Sequence, residues 1–465
     1  MKQRVEQINL KMAKEHGLID EEEVSYEKAR SAIINPENFT KRIESSDIEI
    51  SPGVRLGSQT IELGAGNFTN LYDVYFNKND ATLSTQIITK QQPIYQHKLF
   101  SHGRKNTSTT EKPIACINGT FFFLEDGKLD KVPSEVIYNL NIRDGKTVGL
   151  PSIKRPSLFV TKDGKIHARE LEANGTVLIG GREIFWTGGE PIAHNRLDKT
   201  EETMISGAVL YNSACCSIEY EDPKDKKSLR KLRQDLNATP KKGGVTDVVV
   251  SADKTDKLYV TSINQGGGTD FFKGNFILQI QSSELKDVKI GDEVDPKTLG
   301  NLNINEIKSA VTTGPAVDYF RDNDDHEINH DLSLGSFPPF DANARYARSV
   351  MYEDSASNIH MVVFDAVPRS EHMKGVTPKE VAEHIPKDTK WAVFLDGGQS
   401  SRITFESSQP NEKDVEVEAR GNKQYVRLHK RDKKSQTAEG EGQFLWTTRG
   451  RPLSSLIALY RHKSS

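Results

Sequence analysis

A mixed α/β fold dominated by sheet and preceded by a helical leader is what this 465-residue sequence predicts. Three observations carry the prediction. From about residue 50 onward, short runs rich in β-branched and aromatic residues alternate with glycine, asparagine and aspartate turns. Ahead of them, apolar residues recur at helical rather than alternating spacing. Towards the end of the sheet-rich stretch, one helix with complete start and stop signals is framed by two apolar strands.

In the leader, Val5, Ile8 and Met12 fall on one helical face that Gly17 can end. Asp20 and Glu23 have capping-box spacing, and a second helix over residues 21–34 stops before Asn35-Pro36. Strands are expected at residues 71–76, 114–118, 157–161, 245–251, 258–263, 276–280, 359–365 and 391–395. Residues 222–242 interrupt this pattern with Lys226, Lys227, Arg230, Lys231, Arg233, Lys241 and Lys242, while Leu229, Leu232 and Leu236 recur periodically. That stretch reads as an inserted surface helix or loop, either a solvated face or a place where an acidic partner docks. Gly266-Gly267-Gly268 lacks dinucleotide spacing and reads as a flexible turn. Thr377, Pro378 and Glu380 occupy N-cap, N1 and N3 positions, so a helix is expected from residue 378 to about 385, ended by Pro386. Beyond residue 405, a polar tract leads to one or two edge strands near Val415, Val417 and residues 425–428, and the apolar ending over 444–460 docks on the body. The expected division is a leader at 1–50, a main domain at 51–405 carrying the insertion, and a C-terminal extension at 406–465.

Hydrophobic residues at 35% and charged residues at 28% describe a polar globular chain. The formal charge of −3 gives no electrostatic reason to expect nucleic acid or an acidic membrane as partner. No uninterrupted apolar segment approaches 18 residues, so a membrane-spanning helix is not expected. Residues 1–16 lack the apolar run of a secretory signal. Cys116 and the adjacent pair Cys215-Cys216 cannot form a disulfide framework. A cytoplasmic location fits these features, as does export by a route that reads other signals, such as a bacterial effector uses.

Two strand ends stand out chemically. The strand at 114–118 runs into Asn118-Gly119-Thr120-Phe121-Phe122, setting a side-chain amide and a glycine at its end. Alone, Asn-Gly is also a common hairpin signal. The strand at 391–395 ends in Asp396-Gly397-Gly398-Gln399-Ser400-Ser401, where a strand terminus holds a carboxylate and two glycines let backbone N–H groups approach an anion. Between them lie Arg348-Ser349-Val350 and, after the strand at 359–365, Arg369.

In this order the motifs resemble the phosphodiester glycosidase family. Its Asn-Gly-x-Phe-Phe element is similar to residues 118–122. Its Gly-Tyr/Phe-x-Leu strand and Val-Gly-Asp turn are similar to Gly274-Asn275-Phe276-Ile277-Leu278 and Lys289-Ile290-Gly291-Asp292. Its Gly-Gly-Pro element resembles Thr313-Gly314-Pro315, its Arg-Thr-Ala motif Arg348-Ser349-Val350, and its Asp-Gly-Arg segment Asp365 with Arg369. Its Asp-Gly-Gly-Gly-Ser-Ser signature corresponds to residues 396–401. Gln399 stands where that signature has a third glycine, and Ala366-Val367-Pro368 separates Asp365 from Arg369. Collinear order over roughly residues 110–405 makes six weak motifs specific together.

The resemblance implies hydrolysis of a sugar-1-phosphodiester, on a glycoprotein or a nucleotide, with release of the sugar. On that expectation Asp396 activates water or supports the anomeric cation, Asp365 is its partner, and Asn118 positions a sugar hydroxyl. Arg348 clamps phosphate, because a guanidinium can bind two phosphate oxygens at once. Gly397, Gly398, Ser400 and Ser401 complete the pocket, with Gly119, Gly314 and Arg369 as further binding candidates. No cofactor is expected, and none of these candidates is a metal ligand. Competing readings are a sugar-phosphate or protein-binding module that has lost turnover, and a zinc protease through His326-Glu327-Ile328-Asn329-His330. The latter pattern sits among polar residues without the apolar periodicity of a buried helix. Neither a nucleotide loop nor a Gly-x-Ser-x-Gly elbow occurs.

Overall fold

The computed structural model describes residues 42, 45–94, 113–120, 139–189, 207–215, 218–220, 230–232, 238–323, 343–366, 371–407, 420–421, 424–428, 443–448 and 453–461. The two leader helices, Phe121-Phe122, the His326–His330 pattern and Arg369 lie outside these residues.

A six-stranded antiparallel sheet forms one layer, in the order Ser46–Ser51, Val54–Gly64, Asn67–Asn77, Asn358–Phe364, Arg348–Glu353, Trp391–Phe394. Its strands alternate in the way a sheet buried on both faces requires. Val74, Met351, Met361, Val363, Val393 and Leu395 pack in one core with Ile87, Ile117, Ile403 and Ile457 of a seven-stranded sheet, and with Leu158, Val160 and Val311 of a five-stranded one. The alternate residues Val350, Val362, Phe364 and Phe394 pack on the opposite face with Val381, Ala382 and Ile385 of the helix Pro378–His384 and its cap.

The remaining large unit is a closed barrel of seven strands, Asn174–Ile179, Arg182–Gly188, Ala208–Tyr211, Phe276–Gln281, Val245–Ala252, Leu258–Gln265 and Glu293–Leu299. Val177, Ile184, Trp186, Leu210, Val248, Phe276 and Leu278 fill its core. Closure leaves such a sheet without free edges.

The eight strands expected between residues 71 and 395 form, with ends shifted by a few residues, as does a strand at Gln424–Leu428; the edge strand expected near Val415 and Val417 lies outside the described residues. The mixed α/β class is corrected: among the described residues, α-helix is confined to Tyr319–Asp322 and Pro378–His384, and the sheets are almost wholly antiparallel. The strand-helix-strand order over 358–394 is real, but Arg348–Glu353 lies between the two strands and runs antiparallel to both. Local sequence order does not reveal a strand inserted from upstream. In the basic insertion, Arg230–Leu232 is a strand paired with Ile218–Tyr220, not a helix. Gly266, Gly267 and Gly268 all have positive φ, and a Cβ on Gly267 would lie 2.1 Å from the Pro240 carbonyl oxygen, so this turn is a fixed close approach rather than a flexible link. The strand Leu453–Arg461 sits between Pro113–Asn118 and Leu83–Ile94, inside the seven-stranded sheet. A boundary at 405 therefore falls within a sheet.

Candidate functional site

The site grows from one end of the six-stranded sheet. Asn358–Phe364 and Trp391–Phe394 finish there, and the antiparallel strand Arg348–Glu353 starts there. Val350 faces Phe394; two residues further on, the same register sets Arg348 opposite Asp396. The pairing does run on, because Leu395 N–H donates to the Ser349 carbonyl at 2.9 Å and Gly398 N–H to the Ala347 carbonyl at 2.8 Å. A strand's side chains alternate faces, so Arg348 and Asp396 leave the sheet on the side of Val350 and Phe394. Asp396 is 7% exposed and Arg348 2%.

The acidic turn is tightly wound. Gly398, Gln399 and Ser400 form a single turn of 3-10 helix, entered from extended Gly397 and with Gly398 at φ +60°. The Ser400 hydroxyl donates to Asp396 Oδ2. A Cβ on Gly397 would come within 3.8 Å of Arg348 Nη1 and 3.3 Å of the Ala347 carbonyl oxygen. The guanidinium thus lies against the backbone of the turn. Arg348 Nη2 donates to the Ala344 carbonyl at 2.9 Å, and the guanidinium carbon sits 5.2 Å from the centre of the Tyr346 ring. Among the described residues the buried Ser401 hydroxyl has no hydrogen-bond partner, a condition that costs free energy unless a ligand or water meets it.

Asn118 is fully buried and its amide is committed within the protein. Its Nδ2 donates to the Asp396 carbonyl at 2.7 Å and the Gly119 carbonyl at 3.5 Å. Its Oδ1 accepts from Ser349 Oγ at 2.7 Å and Arg402 N–H at 3.2 Å. Two donors and two acceptor positions are all that an amide offers. Asn118 therefore ties the end of its own strand to Asp396, Ser349 and Arg402. Gly119 serves packing: a Cβ there would lie 2.4 Å from Ser455 Oγ, and its N–H donates to the Ser455 carbonyl at 3.0 Å. Gly314 donates to the Phe394 carbonyl at 2.8 Å and so extends the outer edge of Trp391–Phe394.

Asp365 is buried at the end of Asn358–Phe364. Its Oδ1 accepts from Ala366 N–H at 2.7 Å, and its carbonyl accepts from Thr69 Oγ1 at 2.9 Å. These are the contacts of a strand-end turn. The motif residues Gly274 to Leu278 and Gly291-Asp292 belong to the barrel: Asn275 braces Ala252 N–H at 3.0 Å and the Val148 carbonyl at 2.8 Å, and Asp292 caps its own turn through Lys289 N–H at 2.8 Å. Arg348, Asp396, Gly397, Gly398, Ser400 and Ser401 are thus brought together, with Asn118 and Gly119 bracing them.

Sequence reasoning gave no role to Tyr346, Arg402 or Ser455, and named Ser349 only as part of a motif. Arg402 directly follows the turn, is 2% exposed, and its carbonyl accepts Asn118 N–H at 3.3 Å. A cation next to the glycine turn was a readable signal. Ser455, whose hydroxyl accepts Thr120 N–H at 2.8 Å, gave none.

No protein-family model and no curated protein matches the chain. Among solved structures, a hypothetical protein from Synechocystis is similar at 13% identity and a TM-score of 0.47, over 90% of this chain; the chain spans 64% of that protein's length. A Burkholderia pseudomallei protein named as exported is similar at 15% identity and a TM-score of 0.45, over 84% of this chain and 74% of that one. The catalytic domain of zebrafish N-acetylglucosamine-1-phosphodiester alpha-N-acetylglucosaminidase, auto-inhibited by its pro-peptide, is similar at 10% identity and a TM-score of 0.36, over 91% of this chain and 89% of that one. Likenesses this distant assign neither family nor activity, and the site's chemistry stands on its own residues.

Proposed function

We propose that the chain is a hydrolase that cleaves the bond between the anomeric carbon of a sugar and the oxygen of a phosphodiester. The observation that carries this reading is the register setting Arg348 opposite Asp396, with the Arg348 guanidinium against the glycine turn. A buried cation beside an unpartnered serine hydroxyl suits an anion, and a carboxylate at its edge supplies a base. Arg348 binds two phosphate oxygens, with Ser401 Oγ contributing. Its orientation is preset by the Ala344 carbonyl.

The C1–O bond breaks with its electron pair leaving on the phosphate oxygen, and Arg348 stabilises the charge that develops there. Positive charge builds at the anomeric carbon, as in glycoside cleavage generally. Asp396 takes a proton from water as the water oxygen bonds to that carbon. A phosphate leaves readily, so the reaction needs little general-acid help.

Incubation with sugar-1-phosphodiesters, followed by product analysis, tests the reading. Free sugar and a phosphomonoester are expected, and Asp396→Asn should lower turnover by about 10²–10⁴-fold, the usual effect of losing a general base, without shifting the melting temperature. Undiminished turnover in the variant removes the assignment of Asp396. Ligand binding without any product favours the binding-module alternative.

A further inference from the structure

We propose that Tyr346 is a specificity residue of this site: it stacks against a ring carried directly on the anionic group held by Arg348, so that the ligands preferred are phosphate esters of flat or ring-bearing groups. The inference rests on the anion-site reading above and narrows its substrate class.

Among the described residues, only Phe185, Ile290 and Tyr346 are large hydrophobic side chains left exposed, and Tyr346, at 37% exposure, is the one at this site. Single exposed apolar residues are ordinary on a protein surface, so exposure alone carries nothing. Position and rigidity do. The ring meets the Arg348 guanidinium at 5.2 Å, within cation–π range. An anion bound to that guanidinium is thereby brought beside the aromatic ring.

The backbone of Tyr346 is clamped. Its N–H donates to the Val376 carbonyl at 3.3 Å, and Val376 N–H donates back to its carbonyl at 3.0 Å. Gly375, at φ +92°, passes so close that a Cβ would lie 2.5 Å from the Tyr346 carbonyl carbon. Arg345 Nη1 donates to the Gly375 carbonyl at 3.0 Å and the same side chain pairs with Glu380 of the helix Pro378–His384. A ring carried on so fixed a backbone and laid on the Arg348 guanidinium loses little freedom when a ligand stacks on it, which is the condition under which an exposed aromatic contributes affinity. Stacking tolerates any ring with a π or apolar face, whether a nucleobase or a sugar, and both lie within reach of a phosphodiester oxygen.

Titration calorimetry with methyl phosphate, phenyl phosphate and uridine monophosphate tests this without relying on turnover. The wild type should bind the two ring-bearing esters about tenfold more tightly than methyl phosphate. Tyr346→Ala should abolish that ratio and Tyr346→Phe should keep it, with unchanged circular dichroism in both. If methyl phosphate binds but the ring-bearing esters bind no better, or if the preference survives Tyr346→Ala, the inference is overturned while the anion site stands. If no ester binds, the anion site falls and this inference with it. Stronger binding of uridine monophosphate than of phenyl phosphate identifies a nucleoside as the group preferred.

Discussion

At the scale of single residues, the site separates groups that reach a ligand from groups that hold them in place. In the proposed reaction Arg348 does the first: one guanidinium nitrogen is anchored on Ala344, and Nη1 lies towards Gly397. Lysine would keep the charge and lose the planar fork. Arg348→Lys is therefore expected to weaken inorganic phosphate binding by about tenfold or more, the value of a lost hydrogen bond to a charged group, as read by calorimetry. Asn118 does the second, through four hydrogen bonds within the protein. Gly398 shows a purely conformational requirement. At φ +60°, and with no atom within 4 Å of where an alanine methyl would sit, its replacement by alanine meets strain and no clash. Gly398→Ala should cost about 1–2 kcal/mol in denaturant unfolding, the ordinary penalty of the left-handed region.

At the scale of elements, the helix Pro378–His384 braces the segment that carries Tyr346. It has the full capping box expected from the sequence: Thr377 Oγ1 accepts Glu380 N–H at 3.2 Å, and Glu380 Oε2 accepts Thr377 N–H at 2.8 Å. Glu380 also pairs with Arg345, so one carboxylate joins the helix start to the 343–347 segment. Thr377→Ala should cost about 1 kcal/mol of stability in urea unfolding. The strand Leu453–Arg461 is the other critical element, since Ser455 meets both Gly119 and Thr120. A methyl at residue 119 would meet the Ser455 side chain at 2.4 Å and its backbone carbon at 3.0 Å, so moving the hydroxyl alone does not relieve it. Gly119→Ala is expected to destabilise by about 1–3 kcal/mol, the usual cost of overpacking.

Across the whole molecule, the six-stranded sheet carries a titratable cluster at the end away from the site. His360 donates or accepts with Asp73 Oδ2 at 2.8 Å and Asp354 Oδ2 at 3.4 Å, and its ring stacks with Tyr352 at 4.2 Å and Tyr75 at 5.2 Å. Burial pushes His360 down, but the hydrogen bonds and charges of Asp73 and Asp354 outweigh it and hold the ring above its ordinary value. Asp73 is raised, chiefly by burial and against the pull of His360. Asp354 is held low, burial notwithstanding, by hydrogen bonds from Asn358 and His360. A raised histidine adds stability that is fully present below about pH 6.5 and is lost as pH rises through its higher folded value; raised Asp73 acts in the same direction from about pH 3.8 upward. The Asp354 contribution is opposite, present above the ordinary carboxylate value and lost on acidification. The urea midpoint should therefore fall as pH rises above about 6.5, and His360→Gln should flatten that decline. Each pH unit of the window corresponds to about 1.4 kcal/mol.

The sequence by itself determined the strands, the capped helix and the residues of the acidic glycine turn. Those depend on alternation, propensity and capping, which act over a few neighbouring positions. That Arg348 and the turn share one site was an expectation of the family resemblance, not of any local pattern. Only the tertiary structure decided that Arg348–Glu353 lies between Asn358–Phe364 and Trp391–Phe394, that a seven-stranded barrel closes, and that Leu453–Arg461 enters a sheet built from far upstream. The reason is that a strand's hydrogen-bonding edges carry no address: which edge meets which is set by burying whole faces at once, and no local spacing records it. The same holds for Asn118, whose four partners come from residues as far away in the chain as Arg402, and whose bracing role appears only when those strand ends meet.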